Sequence, residues 1–412
     1  MDRWRNPYTP NAGAKPPVLV GREDELSAFD VLLRRLAAGR TEKSLIVVGL
    51  RGVGKTVLLG EFRQRALGER WHVMEIEVSK WDDDQFRRSL AREFRRVLHS
   101  LSSSGRWAVR ARQAAAALKS FTLAVDPEGR LSVGVDISPS VGVADSGALD
   151  ADLSDLLISV GEAAQEQQTG VVLLLDELHF LTREQMEALI AGIHKTVQRS
   201  LPITMAAAGL PQIHELVGDA KSYAERLFRF PAIGSLNDQD ARRVLREPAE
   251  QLHVAYSDEA LDHGLQFSEG YPYFLQEFGE AAWDLGSGSR ITEADARDAR
   301  RVVEEKLDSG FFKVRLDRTT DLQKAYLRAM AELGPDAQLA SAVAGLLNRT
   351  SPQCGPTRKQ LIDKGLLYTT DHGYAAFTVP KFDEYLKRAI PRLSSPPIRR
   401  RSSNTSDLSQ SS

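Results

Sequence analysis

Eight consecutive residues carry the most legible chemistry in this chain: Gly49-Leu50-Arg51-Gly52-Val53-Gly54-Lys55-Thr56. They satisfy the pattern G-x-x-x-x-G-K-[ST] at every fixed position and directly follow the apolar run Leu45-Ile46-Val47-Val48. Glycines let successive backbone N–H groups turn inward and approach phosphate oxygens closely. A helix beginning at Lys55 aims its positive end at the same anion. Lys55 can reach the outer phosphates, and the Thr56 hydroxyl can ligate Mg2+. Leu58, Leu59, Phe62 and Ala66 give that helix its apolar face. Gly49, Arg51, Gly52, Val53, Gly54, Lys55, Thr56 and Val57 are therefore the expected contacts of a nucleoside triphosphate.

A second cluster lies far downstream. Val171-Val172-Leu173-Leu174-Leu175 is followed by Asp176-Glu177. A buried strand cannot hide carboxylates, so both acids must emerge at its carboxyl end. In an open parallel sheet that edge is where ligands bind. Asp176 is placed to hold Mg2+ through water, and Glu177 to orient or deprotonate the attacking water. Taken alone, such a run also fits a solvated strand end. His179 reads as a residue that packs or caps locally.

These residues need elements to hold them. A helix following Arg22 presents Leu26, Phe29, Leu32, Leu33 and Leu36 on one face. Strands are expected at residues 73–78, 171–175 and 203–208, and helices at about 84–101, 153–168 and 184–198. Strands alternating with helices, apolar on both faces, imply a parallel sheet covered by helices. Residues 103–150 break the rhythm. A helix around 109–118 and two apolar runs flanking Asp126-Pro127-Glu128-Gly129 predict an inserted β-hairpin with a loop after it. After Pro231 the strands stop. Helices follow across residues 237–308, with Asn237, Ser257 and Thr292 as N-caps. Helices at residues 321–333, 339–347 and 357–364, then strands at 365–369 and 374–379, predict a winged helix-turn-helix.

The expected architecture is thus α/β: a P-loop NTPase parallel sheet flanked by helices, an all-α lid and a C-terminal winged helix. Its parts are an extended N-terminal arm (1–17), the core (18–232), the lid (233–312), the winged helix (313–391) and a disordered tail (392–412).

The fragment Val20-Gly21-Arg22-Glu23-Asp24-Glu25-Leu26 resembles the adenine-side motif of AAA+ and signal-transduction (STAND) P-loop ATPases, and of their origin-recognition-complex-like branch most of all. Gly270-Tyr271-Pro272 is similar to the G-x-P motif of STAND lids. The arm Asn6-Pro7-Tyr8-Thr9-Pro10, with Pro16-Pro17, looks like that of actinobacterial ATP-binding proteins. The resemblance spans about residues 6–390. It implies ATP rather than GTP, adenine contacts from the backbone of Val20 and Gly21, and a lid contact from Pro272. It also places Arg226 where such proteins often carry an arginine finger, with Arg229 competing and a surface ion pair as the alternative. Two departures stand out. The strand after Thr204 ends in Ala206-Ala207-Ala208-Gly209, without the polar side chain that senses the γ-phosphate. No arginine stands beside Gly270.

Composition bounds the rest. The chain has 412 residues, 42% hydrophobic and 27% charged, with 54 basic and 56 acidic side chains and a net charge of −2. That is the profile of a globular protein of two or three domains without global bias toward nucleic acid. The single cysteine, Cys354, excludes an intramolecular disulfide and fits a reducing compartment. No apolar run suits a signal peptide or a membrane span, so a cytoplasmic location without membrane partners is expected.

The expected activity is that of an ATP-binding switch that hydrolyses ATP slowly with Mg2+, its ATP or ADP state controlling an unidentified protein partner through the winged unit. An ATP-regulated DNA-binding regulator or loader remains open. Ser351, Gln353, Thr357, Arg358, Lys359 and Lys364 could contact duplex DNA, and Arg399-Arg400-Arg401 adds a basic cluster. A scaffold that never hydrolyses its nucleotide, and a nucleotide-dependent homo-oligomer, also remain open.

Overall fold

The computed structural model describes residues 1–101, 109–123, 126 and 138–397. It divides into two compact units, Met1–Glu305 and Lys306–Ser412. No helix among the described residues is long and apolar enough to cross a membrane.

The first unit begins with α1 (Glu23–Ala37), β1 (Ser44–Val48), α2 (Lys55–Gly68), β2 (His72–Glu77), α3 (Asp83–Leu101), α4 (Val109–Leu123) and α5 (Leu149–Glu166). It continues with β3 (Val171–Asp176), α6 (Arg183–Gln198), β4 (Ile203–Gly209), α7 (Ile213–Ala220), α8 (Ala224–Leu227) and β5 (Phe228–Arg229). The five strands form one parallel sheet in the order β2-β3-β4-β1-β5. Side chains alternate across a strand. Leu173 and Leu175 join Met74, Ile76, Met205 and Ala207 in one core with α3 to α6, while Val172 and Leu174 face the other side. There α1 and α2 lock together through the stacked rings of Phe29 and Phe62. Each such buried aliphatic or aromatic side chain contributes about 1.5–3 kcal/mol of transfer free energy, which decides that both faces stay covered.

Helix α4 runs to Leu123, so residues 121–123, expected to open a hairpin, are helical. Ala114, Ala115, Ala117, Leu118 and Phe121 sustain the helical period against the core and override the strand propensity of the short apolar run. The remainder of the expected hairpin, residues 124–125 and 127–137, lies outside the described residues.

The first unit closes with α9 (Asp238–Glu250), β6 (Ala255–Tyr256), α10 (Asp258–Ser268), α11 (Pro272–Leu285), β7 (Arg290–Ile291) and α12 (Glu293–Lys306). Asn237, Ser257 and Thr292 accept the expected capping bonds. Strands do not stop after Pro231, however, because β6 and β7 pair in parallel. Nor is the N-terminal arm unpacked. Tyr8 is buried and donates to the Leu245 carbonyl, and a methyl group at Gly279 would overlap its ring. Asn6 Nδ2 donates to Glu280 O (3.0 Å) and Asp284 Oδ1 (2.8 Å), and the Met1 ammonium to Gly286 O (2.6 Å).

The second unit starts with a π-helical turn, Leu307–Phe312, then α13 (Lys313–Asp317), α14 (Asp321–Leu333), β8 (Gln338–Leu339), α15 (Ala340–Leu346), α16 (Ser351–Asp363), β9 (Leu367–Thr369), β10 (Tyr374–Phe377) and α17 (Phe382–Ala389). Its sheet runs β8-β10-β9, antiparallel throughout. Helix α16 starts six residues earlier than the sequence pattern suggested. Pro352 in its first turn needs no N–H partner there. Cys354 is buried on its inner face.

One buried ion pair ties α3 to α5. Arg87 Nη2 donates to Asp152 Oδ2 (2.9 Å) and Gly147 O (3.0 Å), while the N–H and hydroxyl of Ser146 satisfy Asp152 Oδ1. The guanidinium also lies over Phe121, 4.8 Å from the ring centre. Asp152→Ala strands that cation in the core and is expected to destabilise the fold by about 3–5 kcal/mol. A double replacement, Arg87→Met with Asp152→Leu, should cost much less; urea midpoints of the three variants decide it.

Candidate nucleotide site

The end of β1 runs directly into the phosphate loop, and the chain after β5 walls it from outside. Val48 N–H donates to Pro231 O and Ile233 N–H to Val48 O, both at 2.8 Å. This brings Ile233 O so close that a Cβ on Gly49 would stand 2.5 Å from it, so the first position of the loop must be glycine. Gly54, with φ of 94°, turns the chain into α2. Side chains cap α6, α9 and α10 at Thr182, Asn237 and Ser257. The start of α2 has neither a side-chain cap nor an acid in its first turn, so its N–H groups face the loop.

Lys55 is buried and its Nζ donates to Gly49 O (2.9 Å) and Leu50 O (2.7 Å). Thr56 Oγ1 donates to Asp176 Oδ2 at 2.6 Å, across the end of β4. Asp176 Oδ1 accepts from the Glu177 N–H at 2.8 Å. Glu177 itself sits in the left-handed region with φ of 53°, a conformation that costs a non-glycine residue about 1 kcal/mol or more. Burial raises its carboxyl above the usual range, against the pull of Arg51 and Lys55 and with a push from Asp176.

The segment Val20–Arg22 and the helical segment reach the same loop. Val20 is buried, and Gly21, with φ of 66°, packs against Leu236 and Asp240. Arg22 is also buried and donates to three carbonyls: Gly21 (2.7 Å), Val53 (3.1 Å) and Gly234 (2.8 Å). It therefore holds Val20 and Gly21, the phosphate loop and the connector to α9 in one arrangement. At the start of α11, Pro272 is followed by Tyr273, whose N–H donates to Gly52 O at 3.2 Å. A Cβ on Gly52 would stand 3.0 Å from the Tyr271 hydroxyl. Lys15, near the end of the arm, pairs with Glu61 on α2 at 2.5 Å.

The structure thus gathers Thr56, Asp176, Glu177 and Lys55, and sets Arg22 and Tyr273 against neighbouring parts of the loop. It does not bring Arg226 to them. Arg226 is exposed just before β5, whose first residue pairs with Ser44 at the opposite end of β1. It makes no ion pair among the described residues, whereas Arg229 is held by Glu42 at 2.9 Å. Thr204 bonds Ser44 at the far end of the sheet (2.9 Å), so no hydroxyl from β4 points toward the phosphate loop. Two contributors went unread in sequence: Arg22 as a brace, and the arm as a packed segment. The Asn6, Tyr8 and Thr9 side-chain types, amide and hydroxyl beside an aromatic, were the available signal.

Residues 18–206 match the family model described as AAA ATPase domain. The matched segment holds the phosphate loop and the Asp176-Glu177 pair, on the parallel sheet of a P-loop NTPase fold. The Walker-type ATPase paby2304 of Pyrococcus abyssi is a solved structure of similar fold, with a TM-score of 0.54, 16% identity, and 90% of this chain and 96% of that one covered. The Thermotoga maritima RuvB Holliday junction branch migration motor aligns with a TM-score of 0.45 and 15% identity over 89% of this chain and 95% of its own. The Aeropyrum pernix ORC1 protein in complex with DNA gives 0.45 and 15%, over 94% and 96%. Residues 309–386 match a model described as Domain of unknown function (DUF8462). No curated protein matches the chain.

Burial holds the Lys55 ammonium down at about 8, against the opposing pull of Glu177 and Asp176. A bound triphosphate would raise it, so binding near and above pH 8 takes up a proton and weakens as pH rises. Calorimetry in buffers of different ionisation enthalpy reads that uptake directly. An affinity that stays constant from neutral pH to about 9 would contradict Lys55 as a phosphate ligand.

Proposed function

We propose that this protein is an ATP-binding switch with slow, Mg2+-dependent hydrolysis, whose nucleotide state governs a C-terminal winged-helix module that binds a protein. The observation that carries the reading is the bond from Tyr273 N–H to Gly52 O. The helical segment, read as a lid, grips the phosphate loop itself, so any change in the loop on binding phosphate is felt by that segment.

The site suits both ligands of the proposal. Glycines at 49, 52 and 54 leave the backbone free to close on phosphate, with Arg51, Val53 and Val57 adding N–H groups to the cradle. Val20 and Gly21 would take adenine, and Pro272 would close the lid side. Thr56 Oγ1 and the Asp176 carboxylate, 2.6 Å apart, would hold Mg2+, Asp176 through water. The cation would neutralise charge on the phosphate oxygens. Lys55 would exchange its loop carbonyls for phosphate. Glu177 would orient the attacking water and accept its proton, a role its burial favours.

Slow turnover follows from what β4 and α11 lack. Small residues end β4, Thr204 is committed to Ser44, and no arginine flanks Gly270. Exposed Arg226, at the far edge of the sheet, would complete a site only in trans, which makes it the arginine-finger candidate of a nucleotide-dependent homo-oligomer.

The side chains of α16 favour a protein partner over DNA. Thr357 is buried, Arg358 Nη2 donates to Tyr374 O (2.6 Å), and Gln353 Oε1 accepts from Thr350 N–H (2.9 Å). Lys364 Nζ donates to Arg318 O and Gln323 Oε1, both at 2.7 Å. Side chains so engaged are poorly placed for base edges, which leaves exposed Ser351 and Lys359 of the six. The Arg399-Arg400-Arg401 cluster lies outside the described residues.

Lys55→Ala is expected to abolish ATP binding in calorimetry. Glu177→Gln should bind ATP with wild-type affinity yet turn it over roughly 100-fold or more slowly in single-turnover assays with Mg2+. Equal turnover by wild type and Glu177→Gln would rule out Glu177 as the water-activating group, and no single-turnover hydrolysis by wild type would leave the non-hydrolysing scaffold. Salt-dependent duplex binding that responds to ATP would instead favour the DNA-binding alternative.

A further inference from the structure

His179, two residues beyond Glu177, has no part in the mechanism above, yet its surroundings are specific. It lies in the 3-10 turn Leu178–Phe180 with a nearly buried side chain, its ring 4.3 Å from that of Phe180. Its Nδ1 accepts the N–H of Leu210, the first residue after β4, at 3.3 Å. A ring nitrogen that accepts a hydrogen bond carries no proton, so in the neutral ring the proton sits on Nε2. Nε2 stands 3.2 Å from Glu177 Oε2. The two are within reach, but their alignment falls short of a hydrogen bond, and neither buried atom has another partner. A buried donor and acceptor left unmade are costly, and a small rotation of the Glu177 carboxyl satisfies both at once.

We propose that His179 is a positioning residue for Glu177: its Nε2–H holds one carboxylate oxygen, so that the other is presented to the attacking water. The proposal rests on the reading of Glu177 as the water-orienting group. Burial, with Arg51, Lys55 and Lys80 nearby, holds the imidazole down at about 3, so it remains a neutral donor across the physiological range. The anchoring of its other nitrogen gives the device a further property. Gly49 N–H donates to Gly209 O (3.2 Å), and the next residue, Leu210, holds His179. The end of β4 has no side chain to sense phosphate, but its backbone joins the first glycine of the phosphate loop to the imidazole that aims Glu177. Through this path, a shift of the loop at Gly49 reorients the carboxylate.

Three variants separate this role from packing. His179→Phe keeps the ring against Phe180 but removes the N–H, His179→Ala removes both, and His179→Gln restores a donor. With full-length protein, ATP and Mg2+, the Phe and Ala variants are expected to lower single-turnover hydrolysis roughly 10- to 100-fold, with calorimetric ATP affinity held within about twofold. The Gln variant should regain most of the rate. Hydrolysis at the wild-type rate by His179→Phe, alongside a defective Glu177→Gln, overturns the proposal. So does loss of ATP affinity in parallel with rate, the mark of a structural residue. If wild type is no faster than Glu177→Gln, the reading of Glu177 itself has failed, and the tautomer decides. Nitrogen-15 NMR of labelled imidazoles, with His179→Gln to assign the signal, should find Nε2 protonated; protonation at Nδ1 overturns the proposal without any measurement of activity.

Discussion

The contact between the Thr56 hydroxyl and the Asp176 carboxylate joins residues 120 positions apart in the chain. Asp176 ends β3 and Thr56 opens α2 just after β1, and those two strands are not neighbours, since β4 lies between them. Only a parallel sheet in this order ends all three strands at one edge, and only that edge offers both a helix N-terminus and unburied carboxylates. Much else follows from keeping this edge intact. The small residues at the end of β4 let Gly209 touch Gly49, and the chain after β5 closes over Val48. The core of Leu173, Leu175, Met205 and Ala207 fixes the register that sets the distance.

Around that edge the molecule spends several polar contacts on alignment. Arg22 places a buried guanidinium on three carbonyls from three segments. Tyr273 donates its backbone N–H to the phosphate loop, and Lys15 ties the arm to α2. The arm thus bridges the helical segment, through Tyr8 and Asn6, and the helix that starts at Lys55. The loop is already held from the Val20–Arg22 side and from the helical side. Glu177, in a strained turn with a misaligned imidazole beside it, is the part of the site with a better arrangement within a small rotation.

The C-terminal unit shows how the same residue types acquire opposite meanings. Arg358, Lys364 and Thr357 on a third helix look like a surface for phosphates and bases. In the folded unit Arg358 bonds β10, Lys364 bonds Arg318 and α14, and Thr357 is buried, while Ser351 and Lys359 stay exposed. Exposure and free donors, more than charge, separate a binding face from a structural one.

The sequence by itself determined the phosphate loop, the two acids after β3, the strand and helix alternation of the core and three helix caps. Each is a local pattern whose meaning is set by neighbours a few residues away. It misjudged residues 121–123, where core packing extends a helix, and the arm, whose burial depends on a slot at Gly279 that no local pattern announces. Only the tertiary structure decided which distant partners meet: Thr56 with Asp176, Arg22 with Val53 and Gly234, His179 with Leu210 and Glu177, and Arg358 with Tyr374. The physical reason is that a hydrogen bond or a packed ring is specified by position in space within a few tenths of an ångström, while a sequence pattern specifies only which face of an element a side chain occupies.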